Sequence, residues 1–153
     1  MGFNRLFLSL FYTSLLLAFV LNCSSCKKKE EIGPAPVIRF VSLQPNPAVK
    51  NTDVIKILIE YTDGDGDLGE NTPDKKNLFV TDMRNEITYA YRISQLAPTT
   101  GIIIRGNLQV HLPPQGMMND ANSTETVTYR IYLVDRAGNR SNELVTPALT
   151  LRQ

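Results

Sequence analysis

Several residue types that metal sites and sugar sites rely on are scarce or missing in this sequence. The 153 residues include no tryptophan, one histidine and two cysteines, and both cysteines lie near the N-terminus. A zinc site of the His/Cys type needs about four ligands, so the rest of the chain cannot supply one. The 16 basic and 15 acidic residues balance, so we expect no basic surface for nucleic acid. The absence of tryptophan removes the strongest aromatic platform for stacking on a sugar ring.

Long hydrophobic runs are absent except at the N-terminus. Residues 7–21 are almost wholly apolar and follow a positive charge at Arg5. A run of about fifteen residues is short for a membrane span, which needs roughly 20, and is typical of a secretory signal peptide. The run ends in Asn-Cys-Ser-Ser-Cys at residues 22–26, and three lysines and two glutamates follow at once.

This arrangement resembles the signal of bacterial lipoproteins, and the Ser-Cys-Lys-Lys stretch is similar to that of Bacteroidetes-type outer-membrane or surface lipoproteins. The resemblance implies that residues 1–25 are removed and that Cys26, preceded by the small Ser25, carries lipid. Cys23 is the alternative lipidation site, although Asn22 before it is bulky and polar. An ordinary N-terminal membrane anchor is the other interpretation of the segment.

The resemblance also implies a location: anchored by lipid in the outer membrane, on the cell surface or on the periplasmic face. Residues 29–31, Lys-Glu-Glu, resemble a surface-export signal, and the alternative is a charged tether that faces the periplasm. Residues 26–36 would then be the lipidated cysteine and a flexible tether that ends in Gly-Pro-Ala-Pro. With Cys26 lipidated, no disulfide is available, so residues 37–153 must be stabilised by one hydrophobic core.

From residue 37 onward the hydrophobic pattern has a period of two. Alternation is clearest in residues 54–61 and 126–134, which predicts half-buried antiparallel strands. No segment has the apolar stripe of a helix. Further strands are predicted at residues 37–43, 77–82, 87–93, 102–112 (continuous or broken at Gly106) and 143–151.

Residues 128–142, Thr-Tyr-Arg-Ile-Tyr-Leu-Val-Asp-Arg-Ala-Gly-Asn-Arg-Ser-Asn, resemble the last hairpin of bacterial immunoglobulin-like or fibronectin type III-like domains. Gly138 and Asn139 tolerate a positive φ, and Asp135 can accept hydrogen bonds from turn amides. Together with the strand count, the resemblance implies an all-β fold: a single antiparallel immunoglobulin-like β-sandwich of about seven strands over residues 37–153.

An acidic, glycine-rich segment follows the strand at residues 54–61. Counted from Asp63, oxygen-bearing side chains occupy the first, third, fifth, ninth and twelfth places, and this spacing resembles an EF-hand calcium loop. Leu68 stands where that loop has a glycine, and no flanking helices are apparent. We therefore weigh a calcium site equally against an acidic turn whose carboxylates bond to loop amides. The predicted ligands are Asp63, Asp65, Asp67, Asn71 and Asp74.

No catalytic residues are predicted. His111 lies in a predicted strand, no serine has a nucleophile-elbow context, and the acidic residues are contiguous, whereas glycosidases need two separated carboxylates. The sequence favours a non-catalytic binding or accessory subunit of an outer-membrane or cell-surface assembly, with a protein partner in the outer membrane. The alternative is a small carbohydrate-active enzyme or glycan-binding protein that uses residues 63–74.

Overall fold

A computed structural model describes residues 32–153. The predictions for the signal peptide, for Cys23 and Cys26 and for the first part of the tether lie outside the described residues. Over residues 32–153 the chain is all-β, so the predicted fold class is confirmed. None of these residues belongs to a helix that is long and apolar enough to cross a membrane.

Ten strands make up the domain, and two of them are only two residues long. Their bounds are β1 Val37–Gln44, β2 Ala48–Val49, β3 Ile55–Asp63, β4 Leu78–Asp82, β5 Ile87–Tyr91, β6 Ile104–Leu112, β7 Thr124–Val127, β8 Tyr129–Leu133, β9 Leu144–Val145 and β10 Leu149–Arg152.

The strands form three sheets, with the orders β1-β3-β6, β2-β10-β7 and β5-β4-β8-β9. Pairing is antiparallel throughout, apart from β2 with β10. The inward faces of all three sheets contribute to one hydrophobic core, so the arrangement is that of a β-sandwich. Fully buried side chains of this core include Ile55, Ile57, Ile59, Leu68, Val80, Leu112, Tyr129, Ile131, Leu133, Leu149 and Leu151.

Two segments predicted as single strands are each divided between two sheets. Residues 126–134 are interrupted at Thr128, where β7 pairs with β10 and β8 pairs with β4. Residues 143–151 are likewise divided into β9 and β10 by residues 146–148, which include Pro147. A chain that crosses from one sheet to the other keeps its hydrophobic alternation, and for this reason the pattern did not reveal the crossings.

Of the two alternatives for this strand, continuous or broken at Gly106, the structure has the continuous one, with β6 running from residue 104 to residue 112. Gly106 pairs with Tyr61 on β3, and a Cβ on Gly106 would lie 2.9 Å from the Tyr61 hydroxyl. The glycine therefore gives the Tyr61 side chain room at a position where the sheet remains regular.

The turn after β8 has the local features predicted for Asp135 and Gly138. The Asn139 amide donates to Asp135 Oδ1 at 2.7 Å, and Gly138 has a φ of +91°. The next residues join the layers, because the Asn142 side chain accepts from the Ile38 amide at 2.8 Å and donates to the Ile38 carbonyl at 3.0 Å. This side chain thereby connects the loop before β9 to β1, which belongs to another sheet.

Candidate metal site

Two aspartates lie at core positions because they extend the alternation of their strands. On β3 the buried positions are 55, 57, 59 and 61, and the next inward position is Asp63, which is 0% exposed. On β8 the buried positions are 129, 131 and 133, and the next inward position, just beyond the strand, is Asp135, which is 6% exposed. The hydrophobic core thus ends, on two strands from different sheets, in a carboxylate.

Two more aspartates come from the loop that follows β3. Gly64 is required here by close approach, because a Cβ would collide with the backbone oxygens of Ile32 and Gly33. Gly66 is required by conformation, with a φ of +72°, and a Cβ there would also collide with the carbonyl oxygen of Ile102. These two glycines let the backbone turn tightly enough to bring Asp65 and Asp67 beside Asp63.

The four carboxylates converge. One oxygen from each of Asp63, Asp65, Asp67 and Asp135 lies within 4.8 Å of the others. The backbone holds the remaining oxygens of two of them: Asp63 Oδ2 accepts from the Leu68 amide at 2.9 Å, and Asp67 Oδ2 accepts from the Ala137 amide at 2.9 Å. Asp135 is held by the backbone and side chain of Asn139.

Three of the converging carboxylates have a buried oxygen that finds no hydrogen-bond partner among residues 32–153. These atoms are Oδ1 of Asp63, Asp65 and Asp67. Buried polar atoms in folded proteins nearly always have a partner, because an unpartnered one loses its hydration without compensation. Three such atoms in one cluster, all of them acceptors, indicate that a donor or a cation belongs between them.

No side chain within residues 32–153 forms an ion pair with the cluster. Arg136 is adjacent in sequence, but its guanidinium donates to the Gly69 carbonyl oxygen at 2.9 Å. The pKa values of Asp63 and Asp67 are both raised, and burial is the largest cause in each case. The negative charges of Asp65 and Asp135 raise both pKa values further.

The opposite end of the core provides a direct contrast. There the last inward position of β4 is Asp82, also 0% exposed, and Arg84 donates to both of its oxygens at distances of 2.6 to 3.2 Å. Arg84 also pairs with Glu125 at 2.5 Å and donates to the Gly116 carbonyl oxygen. At one end of the core, therefore, an arginine neutralises the buried carboxylate. At the other end, four carboxylates lie together.

The structure brings together three of the five predicted ligands, Asp63, Asp65 and Asp67. The side chain of Asn71 is engaged with Gln95: it donates to the Gln95 side chain and accepts from the Gln95 amide. Asp74 lies outside the cluster and is exposed. Leu68, the departure from the EF-hand pattern, is fully buried in the core, so the chain after Asp67 does not follow the path of an EF-hand loop around the site.

The fourth carboxylate, Asp135, was not predicted as a ligand. The sequence does contain a signal for its burial: Asp135 is the next position in the alternation after Leu133, just as Asp63 is the next position after Tyr61. Sequence reasoning assigned Asp135 to the turn, and it does accept from the turn amide of Asn139 as expected. Its place in the cluster depends on how the two sheets pack against each other, which a local sequence pattern does not predict.

Comparisons with protein-family models, curated proteins and solved structures found no match to this chain. The chemistry of the site therefore rests on its own geometry. Four buried or half-buried aspartates whose oxygens converge form a cluster that could bind a metal ion.

Proposed function

We propose that the aspartate cluster binds calcium and that this ion stabilises a lipid-anchored, non-catalytic domain. The domain would act outside the cytoplasm as a binding or accessory subunit of an outer-membrane or cell-surface assembly. The observation that carries the calcium assignment is the set of three buried Oδ1 atoms without a hydrogen-bond partner. The lipoprotein-like leader supports the anchored location, and the balanced charge agrees with a protein partner more than with nucleic acid.

Ligand type and spacing are both compatible with calcium. All four ligands are carboxylates, and hard oxygen ligands select calcium or magnesium over softer metals. Calcium–oxygen distances of about 2.3–2.6 Å allow opposite ligands to lie about 4.6–5.2 Å apart, whereas magnesium requires about 4.2 Å or less. The ligand oxygens lie within 4.8 Å of one another, a span that one calcium ion can bridge.

The burial of the cluster supports a stabilising role over a catalytic one. Asp63 is 0% exposed and Asp67 is 6% exposed, so a sugar has little access to these carboxylates. Glycosidases place two carboxyl groups about 5–5.5 Å apart when they retain and about 6.5–9.5 Å apart when they invert, and in both cases the two groups flank an accessible sugar. Four carboxylates around one point instead suit a single cation, which disfavours the carbohydrate-active alternative.

Metabolic labelling with a fatty-acid analogue tests the anchor. The wild type and Cys23→Ala should incorporate the analogue, and Cys26→Ala should not. Loss of label in Cys23→Ala alone would move the lipid to the alternative site. Absence of label from the wild type would overturn the lipoprotein assignment.

Crosslinking in intact membranes tests the accessory role. The lipidated protein should be recovered with a specific outer-membrane protein, and purified protein should not hydrolyse surface polysaccharides. A hydrolase activity that is lost in both Asp65→Asn and Asp67→Asn but kept in Asp120→Asn, a change at an exposed carboxylate outside the cluster, would overturn the non-catalytic assignment.

A further inference from the structure

Three exposed apolar side chains lie in the connection between β5 and β6, at the same end of the domain as the aspartate cluster. Ile102 and Ile103 are 48% and 50% exposed, although they are consecutive and precede β6 directly. Leu96 is 38% exposed in the same connection between β5 and β6. We refer to Leu96, Ile102 and Ile103 as the apolar tip.

The loop that carries the aspartates fixes the position of the apolar tip. The Gly101 amide donates to the Asp65 carbonyl oxygen at 2.5 Å, and the Leu96 amide donates to the Leu68 carbonyl oxygen at 3.3 Å. The Ile102 carbonyl oxygen packs against Gly66. The connection that bears the tip is thus held by backbone contacts to residues 65–68, between and beside the proposed calcium ligands.

The N-terminal end of the described chain reaches the domain at this same loop. The carbonyl oxygens of Ile32 and Gly33 pack against Gly64, one residue before Asp65. Only six residue steps separate Ile32 from Cys26 in the sequence. Even fully extended, six residues span only about 20 Å.

We propose that the apolar tip rests on the lipid surface that holds Cys26. This inference relies on the lipid anchor of the proposed function. The short tether keeps the end of the domain that carries residues 64–66 within about 20 Å of that surface. Leu96, Ile102 and Ile103 are the exposed apolar side chains held to this loop, and an apolar surface beside a bilayer is stabilised by burial at the headgroup boundary. Calcium in the cluster would offset the four negative charges that otherwise oppose this approach.

The opposite end of the domain offers a matched reference position. Ile87 is 52% exposed, close to the value for Ile103, and it pairs with Asp82, the carboxylate at the other end of the core. If the tip faces the bilayer, Ile87 points away from it. The nine-residue strand β3 is roughly 25 Å long, so the two ends of the domain lie about that far apart.

Depth-dependent fluorescence quenching tests the proposal in the full lipidated protein. Ile103→Cys and Ile87→Cys are purified as lipoproteins, labelled with a nitrobenzoxadiazole fluorophore, and reconstituted in phosphatidylcholine vesicles in millimolar calcium. Some of the lipids carry a spin-label quencher on the acyl chain. The wild-type lipoprotein, whose Cys26 sulfur is blocked by lipid, should take no label.

Emission from position 103 should fall about twofold or more with quencher lipid, since an interfacial apolar group lies roughly 5–10 Å into the headgroup boundary. Emission from position 87 should not change. Two outcomes would overturn the docking of the tip but leave the anchor intact. One is equal quenching at both positions, and the other is no quenching at position 103 while the protein still floats with the vesicles. Failure of the protein to float with the vesicles would instead overturn the anchor, and the docking with it.

Discussion

Asp63 and Asp135 occupy equivalent places on two strands from different sheets: each is the next inward-facing residue after the last hydrophobic one. Asp63 follows Tyr61 in the alternation of β3, and Asp135 follows Leu133 in that of β8. Their carboxylates meet those of Asp65 and Asp67 at the end of the core. The cluster is therefore built from the ends of the sandwich strands, and its geometry is coupled to the packing of the sheets.

Asp67→Asn should have opposite effects with and without calcium. In EDTA the change removes one of four neighbouring charges, while the amide oxygen can still accept from the Ala137 amide. The melting temperature of the soluble domain (residues 27–153) should then rise by about 2–5 °C, the shift that roughly 1 kcal/mol gives at this size. In millimolar calcium the variant should gain little further stability, whereas the wild type should gain about 1.4 kcal/mol at ten times the dissociation constant.

Differential scanning calorimetry in EDTA and in calcium measures both effects. Asp120→Asn is the matched control, because it removes an exposed carboxylate outside the cluster and should leave the calcium response unchanged. A lower melting temperature for Asp67→Asn in EDTA would contradict the account of mutual repulsion among the carboxylates.

The pH dependence of stability should change sign when calcium is added. Burial and the neighbouring carboxylates raise the pKa of Asp63 and of Asp67 above the ordinary 3.8 in the folded state. Without metal, the folded state binds these protons more tightly than the unfolded state does. The stability that protonation gives is complete below pH 3.8 and is lost as the pH rises through the raised pKa values. With calcium, protons compete with the ion, so the stabilisation by calcium should fall as the pH is lowered through the same window.

Urea unfolding of wild type and Asp67→Asn across this range isolates the effect of the cluster, because titrating groups outside the cluster contribute equally to both proteins. The difference in the free energy of unfolding in EDTA should grow in favour of the variant as the pH rises, and then level off. A difference that does not vary with pH would contradict the raised pKa values.

Arg84→Gln should destabilise the domain strongly at the opposite end of the core. The change leaves Asp82, which is fully buried, and Glu125 without their cation, and breaking a buried ion pair in this way costs about 3–5 kcal/mol. Calcium should not restore the loss, since the cluster lies at the other end. Arg140→Gln is the control: its pair with Glu143 is half exposed, so its loss should cost about 1 kcal/mol or less. Chemical denaturation of both variants measures the difference, and equal losses would show that Arg84 does not neutralise a buried charge.

Much of the fold was predictable from the sequence because burial has a period of two in a strand. The alternation in β3 and β8 predicted the strands and their inward faces, and the predicted bounds of β1 and β4 agree with the structure to within one residue. The crossings at Thr128 and at residues 146–148 were not predictable in this way. The two sides of each crossing pair in different sheets, and hydrogen-bond partners leave no trace in hydrophobic alternation.

The candidate site was predictable in part. Spacing at alternate positions after a strand identified Asp63, Asp65 and Asp67, which the structure brings together. The EF-hand comparison extended the ligand set along the chain to Asn71 and Asp74, but a sandwich brings ligands together across sheets instead. Extending the inward alternation of β8 by one position would have indicated that Asp135 is buried, although not which residues it faces.

Calorimetric titration of calcium into wild type, Asp135→Asn and Asp74→Asn tests the central claim most directly. Asp135→Asn removes the charge of a ligand from the cluster, whereas Asp74→Asn removes the same charge from an exposed residue of the loop. The account predicts one calcium ion per chain with a dissociation constant on the order of 10⁻³ M or tighter, at least about tenfold weaker binding in Asp135→Asn, and no change in Asp74→Asn. No binding to the wild type, or equal weakening in the two variants, would contradict a calcium site built from the aspartate cluster.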